Sequence, residues 1–149
     1  MVRVSTLRKR AGGFTLIELV VVITILGILA AFAVPRFVNM QANARASAIE
    51  SLQGALRSSS ALTHSMWMVS GQPGTVPVEG AVITMTNGYP NLTTIDDTLV
   101  DASGFAYDPL TGVFVKSGAT TGATCSVTYN PPAALGDPPS ITFDVSNCG

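Results

Sequence analysis

Apolar residues run almost unbroken from Phe14 to Val34, with Glu18 the one charge among them. At about 1.5 Å per helical residue this stretch measures about 30 Å, the thickness of a hydrocarbon core, and predicts a transmembrane helix. Beyond Pro35 the pattern becomes amphipathic. Ile49, Leu52 and Leu56, then Leu62, Met66 and Val69, recur at spacings of three or four, with Arg45, Glu50, Gln53 and Arg57 between them. Gly71, Pro73 and Gly74 supply a stop. The pattern therefore predicts one continuous helix from about Phe14 to about Val69, weakened in its apolar half at Gly27 and Pro35. Glycine and proline are also ordinary constituents of membrane helices.

From Thr75 onward the period shortens to that of strands. Val82 to Thr86 ends at the turn Asn87-Gly88-Tyr89-Pro90. Phe105 to Tyr107 and Val113 to Lys116 flank Asp108-Pro109-Leu110-Thr111-Gly112, a hairpin signal. Cys125 to Tyr129 and Ile141 to Val145 flank a proline-rich loop, Asn130 to Pro139. The expected fold is α+β, an antiparallel sheet of about four or five strands covered by the amphipathic half of the helix.

Composition and charge add an orientation. The chain has 149 residues and is 47% hydrophobic but only 11% charged, enough for one small domain plus an apolar segment outside its core. Arg3, Arg8, Lys9 and Arg10 precede the apolar run, whereas Arg36 and Arg45 are the only bases soon after it, so the N-terminus is expected in the cytoplasm and the C-terminal part outside. Cys125 and Cys148 are too far apart in sequence for the close ligand pairs of a zinc site, and only His64 could join them. An even count in an exported domain favours a disulfide, with two buried free thiols as the alternative if the orientation is reversed. Closing that loop contributes about 3 kcal/mol in the chain-entropy picture.

Glu18 needs an explanation, because a carboxylate near the centre of a membrane helix costs roughly 3 kcal/mol. A plain anchor leaves it unexplained. A secretory signal cut after Ala31-Phe32-Ala33 fits the small-x-small rule, yet the apolar run is long for such a signal and continues into a helical pattern without a loop. The string Gly13-Phe14-Thr15-Leu16-Ile17-Glu18-Leu19-Val20, behind a basic leader and ahead of Gly27 and Pro35, closely resembles the N-terminal signature of type IV prepilins. The resemblance covers about the first 37 residues and is shared by pilins, minor pilins and secretion-system pseudopilins. It implies cleavage after Gly13 by a membrane peptidase, N-methylation of Phe14, and a need for Glu18 in filament assembly. It also implies four segments: a leader over 1–13, a membrane and filament-core helix over 14–34, an amphipathic helix over 35–70, and a β-sheet domain with a C-terminal disulfide loop over 71–149. Members of the family lose helicity between the positions of Gly27 and Pro35 in assembled pili, although a lone subunit can keep the helix.

The resemblance gives Glu18 a physical task. Cleavage creates an amine at Phe14, and both that amine and the carboxylate are costly when unpaired in an apolar setting. Pairing between stacked subunits relieves both charges only in the correct stagger, so the charge acts as a register device.

Several further pieces look like the mannose-sensitive haemagglutinin (MSHA) pilins, major subunits of a type IVa adhesive pilus. They are Pro35-Arg36-Phe37, Ala61-Leu62-Thr63-His64-Ser65-Met66-Trp67, Val78-Glu79-Gly80 and Asn87-Gly88-Tyr89-Pro90. They extend the resemblance to about residue 90, and the rest matches in layout only. The implied function is surface attachment by a helical polymer of this subunit. Its implied partners are further copies of itself, the prepilin peptidase and the inner-membrane assembly machinery. Its implied route runs from the inner membrane to an extracellular pilus. A type II secretion pseudopilin or a minor pilin is the alternative, and major pseudopilins usually lack such a disulfide loop. A secreted soluble protein is a distant third.

Catalytic and ligand chemistry is thinly supported. His64 with scattered serines and aspartates lacks a G-x-S-x-G or related context, and beside Trp67 it reads as a packing residue, so no enzyme activity and no cofactor are expected. Asp96, Asp97 and Asp101 lack the ligand spacing of a calcium loop, and no metal is expected. Asn91-Leu92-Thr93 is a sequon of little weight in a bacterial context. Ser117 to Thr124 is a small-residue loop. Loss of the leader leaves four cations against nine acids, a net charge of −5 before the termini, which argues against general nucleic-acid binding.

Overall fold

The computed structural model describes residues 13–119 and 124–149; the basic leader positions Arg3, Arg8, Lys9 and Arg10 and part of the Ser117 to Thr124 loop lie outside the described residues. The chain divides into two compact units, one ending at Phe37 and the other covering Val38–Gly149. Helix α1 spans Leu16–Val69 and is assigned as helical through both Gly27 and Pro35. Its end follows the sequence signal closely. Gly71 takes the left-handed conformation at φ 83°. Gln72 N–H donates to the Trp67 carbonyl at 2.9 Å and Gly71 N–H to the Met68 carbonyl at 3.4 Å, the pair of bonds that closes a Schellman motif.

Seven strands follow: β1 Thr75–Val78, β2 Ala81–Thr86, β3 Tyr89–Pro90, β4 Phe105–Asp108, β5 Val113–Lys116, β6 Ser126–Asn130 and β7 Ser140–Asp144. The class is α+β, but the strands form two antiparallel sheets, β1-β2-β3 and β4-β5-β6-β7, where the sequence suggested one. The extra sheet rests on two tight turns. Glu79 and Gly80 have φ of 48° and 93°, and Asn87 and Gly88 have 52° and 86°, the paired positive values of type I′ hairpins. β1 is a strand that the runs named from the sequence, which begin at Val82, do not include; Pro77 and Pro90 are tolerated because β1 and β3 are the two edges.

In the unit Val38–Gly149, Ile49, Leu52 and Leu56 of α1 pack on Phe114, Val127, Tyr129 and Ile141 of the larger sheet, with Ile95 and the two cysteines completing the core. Phe114 lies opposite Val127 and Tyr129 opposite Ile141, so one face of β5, β6 and β7 meets the helix. Further along α1 the expected apolar face is corrected. Leu62 and Val69 are exposed, and the buried line continues through Ser60, Thr63 and Trp67. The 3.6-residue period keeps those positions aligned with Leu56. The two hydroxyls avoid a desolvation penalty by donating to their own helix, Thr63 to the Ser59 carbonyl at 2.8 Å and Ser60 to that of Arg57 at 3.1 Å.

Two tyrosines tie the larger sheet to the segment after β2. The buried Tyr129 hydroxyl donates to the Pro90 carbonyl at 2.7 Å, and the Tyr107 hydroxyl donates to the Leu92 carbonyl while its ring stacks on Phe114. Burial, with the charges of Asp96 and Asp108, pushes the Tyr107 phenol up to about 12, and burial pushes Tyr129 up as well. Above about pH 10 the unfolded chain ionises its phenols while the folded chain keeps these two protonated. The unfolded state then binds fewer protons, so stability is full below about pH 10 and is lost as pH rises towards about 12. Phenolate absorbance followed beside far-ultraviolet circular dichroism is expected to show two late-titrating groups that ionise with unfolding. Titration of every tyrosine near pH 10 with the fold intact contradicts this.

Candidate functional site

Among the described residues of the unit that ends at Phe37 the apolar side chains are almost all uncovered: Phe14 is 87% exposed, and Leu16, Ile17, Leu26, Leu29 and Phe32 are exposed too. A bare apolar surface of this extent marks a membrane or protein contact. Among the described residues α1 is the one helix long and apolar enough to cross a membrane.

The start of the helix accounts for its carboxylate. Thr15 stands at the N-cap and Glu18 three residues on, the S/T-x-x-E arrangement of a capping box. Thr15 N–H donates to Glu18 Oε2 at 2.9 Å, and the Thr15 hydroxyl donates to the same oxygen at 2.8 Å. In return Glu18 N–H donates to Thr15 Oγ1 at 3.3 Å. The carboxylate thus satisfies a backbone donor that the helix cannot, at the end where the helix dipole favours negative charge. Thr15 is the residue that the reading of the motif passed over, although Thr15-Leu16-Ile17-Glu18 carries the capping signal in plain sight. Gly13 precedes the helix and is exposed. Glu18 is engaged by Thr15 within its own chain.

The second unit holds the cysteines. Cys125 and Cys148 form a disulfide with their Cα atoms 4.9 Å apart, and both are buried. Arg45 on α1 donates from Nη1 to the Cys148 carbonyl at 2.8 Å, fastening the closed loop to the helix. Nothing in the spacing of the sequence links Arg45 to that carbonyl.

The remaining candidates resolve into structural parts. His64 lies parallel to the Tyr89 ring, with centroids 4.2 Å apart, and its Nδ1–H donates to the Gly88 carbonyl at 2.6 Å. Because a carbonyl only accepts, that nitrogen carries the proton, and the ring serves to pin the β2–β3 turn to the helix. Asp101 accepts from Ser103 N–H at 2.6 Å, which holds its carboxyl below the usual range, whereas burial pushes that of Asp96 up. Among the described residues no three His, Cys, Asp or Glu side chains are grouped to hold a metal ion. Asn91 Oδ1 accepts from Thr93 N–H and from the hydroxyls of Thr93 and Thr94, so the asparagine of the sequon builds a turn.

Residues 8–34 match the family described as the prokaryotic N-terminal methylation motif. Over 53 residues the chain is 51% identical to the type IV narrow pilus major component PilA5 of Thermus thermophilus, a stretch that covers 36% of this chain and 46% of that protein. It is 53% identical over 45 residues to the type IV major pilin protein PilA of Myxococcus xanthus, covering 30% of this chain and 20% of the relative. It is 49% identical over 45 residues to the type IV major fimbrial protein FimA of Dichelobacter nodosus, covering 30% and 29%. The chain therefore spans under half the length of the curated relatives it matches. No solved structure matches it significantly. The chain carries the N-terminal methylation motif and, over the stretches matched, is homologous to type IV major pilins.

Proposed function

We propose that the chain is the structural subunit of a type IV pilus, made as a membrane-inserted precursor, cleaved after Gly13, methylated at Phe14 and polymerised through its N-terminal helix into a fibre for surface attachment. One observation carries this reading: an uncovered apolar helix over the methylation motif, with a single capped carboxylate at its start, in the same chain as a disulfide-closed α+β unit. In an anchor alone Glu18 serves only as the cap of Thr15, a task an uncharged glutamine fills as well. A subunit whose helices bundle has a use for the charge, since the carboxylate can leave Thr15 and meet the new Phe14 amine of a neighbour, where pairing offsets the desolvation of both. The names of the relatives PilA5, PilA and FimA support the major-subunit reading. The finer assignment, an adhesive fibre of the MSHA kind, rests on the resemblance of the stretches between Pro35 and Pro90. The prepilin peptidase and the inner-membrane assembly machinery are the partners this route requires.

Replacing Gly13 with leucine is expected to leave a membrane-held precursor of full length, because the cleavage signature needs a small residue before Phe14. Intact-mass measurement on the membrane fraction reads this directly, and a chain that still begins at Phe14 contradicts the processing site. For the unaltered protein, shearing of cells is expected to release abundant fibres of this subunit. Recovery only from the cell envelope favours the pseudopilin reading instead.

A further inference from the structure

The two flanks of the amphipathic half of α1 carry opposite charge. On one side Leu62 of the helix and Leu99 and Val100 of the segment before β4 line a groove of about 490 Å³, rimmed by Glu79 and Asp101. Val100 is 92% exposed and Leu62 61%, so the groove presents apolar surface to solvent beside two carboxylates. A second hollow continues it from Ala55 and Asp101 to Phe105. On the other side Arg57 lines a smaller hollow of about 240 Å³ with Tyr89, Pro139 and Ile141. Arg57 and Ala55 are two residues apart, and at 3.6 residues per turn their side chains leave the helix about 160° apart.

Arg57 is also the uncommitted cation of its unit. Residues 38–149 contain Arg45, Arg57 and Lys116. Arg45 is held by the Cys148 carbonyl, and Lys116 donates to the Gly104 carbonyl at 2.9 Å while lying over the Phe105 ring. Arg57 and Glu79 are exposed, and neither has an ion-pair partner among the described residues. Asp101 spends one oxygen on Ser103, which leaves Glu79 the free carboxylate at the rim.

We propose that copies of this chain contact one another head to tail through these flanks, Arg57 of one copy pairing with Glu79 of the next while the apolar groove of Leu62 and Val100 is covered. The inference rests on the reading of the chain as a polymerising subunit and names a lateral contact for it outside the apolar half of the helix. Complementary patches on opposite flanks make a heterologous contact, in which every copy offers both halves and the series stays open unless its rotation closes a ring. An exposed ion pair contributes little by itself, but a like-charge juxtaposition at an interface is strongly unfavourable, and here it recurs at every subunit.

The test uses the full chain as the sole copy in cells. Arg57→Glu is expected to lower the yield of sheared fibres by about tenfold or more, with processed, disulfide-bonded subunit at its normal level, because one attraction per subunit becomes a repulsion. Glu79→Arg is expected to do the same, and the double variant to recover most of the fibres. Wild-type yield from Arg57→Glu, or single losses without recovery in the double variant, overturns the pairing. A chain carrying Arg57→Cys and Glu79→Cys, oxidised on intact cells, is expected to give a ladder of linked oligomers, and monomer alone overturns the contact. If the unaltered chain yields no fibres yet the ladder forms, the pilus reading fails and the contact stands.

Discussion

Cells whose only copy carries Glu18→Val are expected to make, process and insert the subunit normally and to shed no fibres. Insertion is not the weak point, since valine is more favourable than glutamate in hydrocarbon. Two things are lost together. One is the capping partner of Thr15 N–H, worth about 1 kcal/mol at the end of a helix. The other is the charge that a neighbouring Phe14 amine needs, whose absence leaves an ammonium unpaired in an apolar core at a cost of several kcal/mol per contact. Glu18→Gln separates the two. Glutamine serves as well as glutamate at the third position of a capping box, so the helix start is kept while the charge is removed. If Glu18 acts by pairing, the glutamine variant fails to assemble like the valine one. If it acts only as a cap, glutamine supports fibres and valine does not. Glu18→Asp keeps the charge with a shorter reach and is expected to be intermediate. Abundant fibres from the valine variant would reduce Glu18 to an incidental carboxylate.

The second large effect belongs to the disulfide. Cys148→Ser is expected to destabilise the unit Val38–Gly149 by about 2–5 kcal/mol, the usual cost in a small exported domain and a large share of its total stability. Both sulfurs lie in the core with Ile49, Leu52 and Val127, so the change opens the loop and also places a hydroxyl among apolar neighbours. The Arg45 bond to the Cys148 carbonyl is expected to loosen with it. A lower thermal midpoint of the detergent-solubilised chain and a reduced subunit level in cells are the readouts. Reduction of the unaltered protein is expected to reproduce the drop, and two thiols reactive in the native, unreduced protein would contradict the bridge.

Much of this molecule is legible in its sequence, because local physics decides it. The run from Phe14 to Val34 must be helical wherever it meets lipid, since no other single segment satisfies its own backbone there. The stop at Gly71 was readable because a left-handed closing residue favours glycine. The Asp108 to Gly112 hairpin was readable because its turn residues carry their own bonds: Asp108 accepts from the Thr111 hydroxyl at 2.7 Å and from Leu110 N–H at 2.9 Å. The capping box of Thr15 and Glu18 is equally local, and its signal is masked only because the same glutamate is also the one charge of a membrane-length run. What the tertiary structure alone decided lies at longer range. Pairing decided that the strands divide into two sheets, since β1 gains its hydrogen bonds from β2 across the Glu79-Gly80 turn. Packing decided that Ser60, Thr63 and Trp67 are buried and Leu62 is not, because the folded chain covers one side of the helix whatever the hydropathy of the other. The Arg45 bond to Cys148 joins residues 103 positions apart, and the acidic groove gathers Glu79 and Asp101 beside Leu62. Sequence spacing carries no trace of such contacts, because they depend on which surfaces the folded chain brings together.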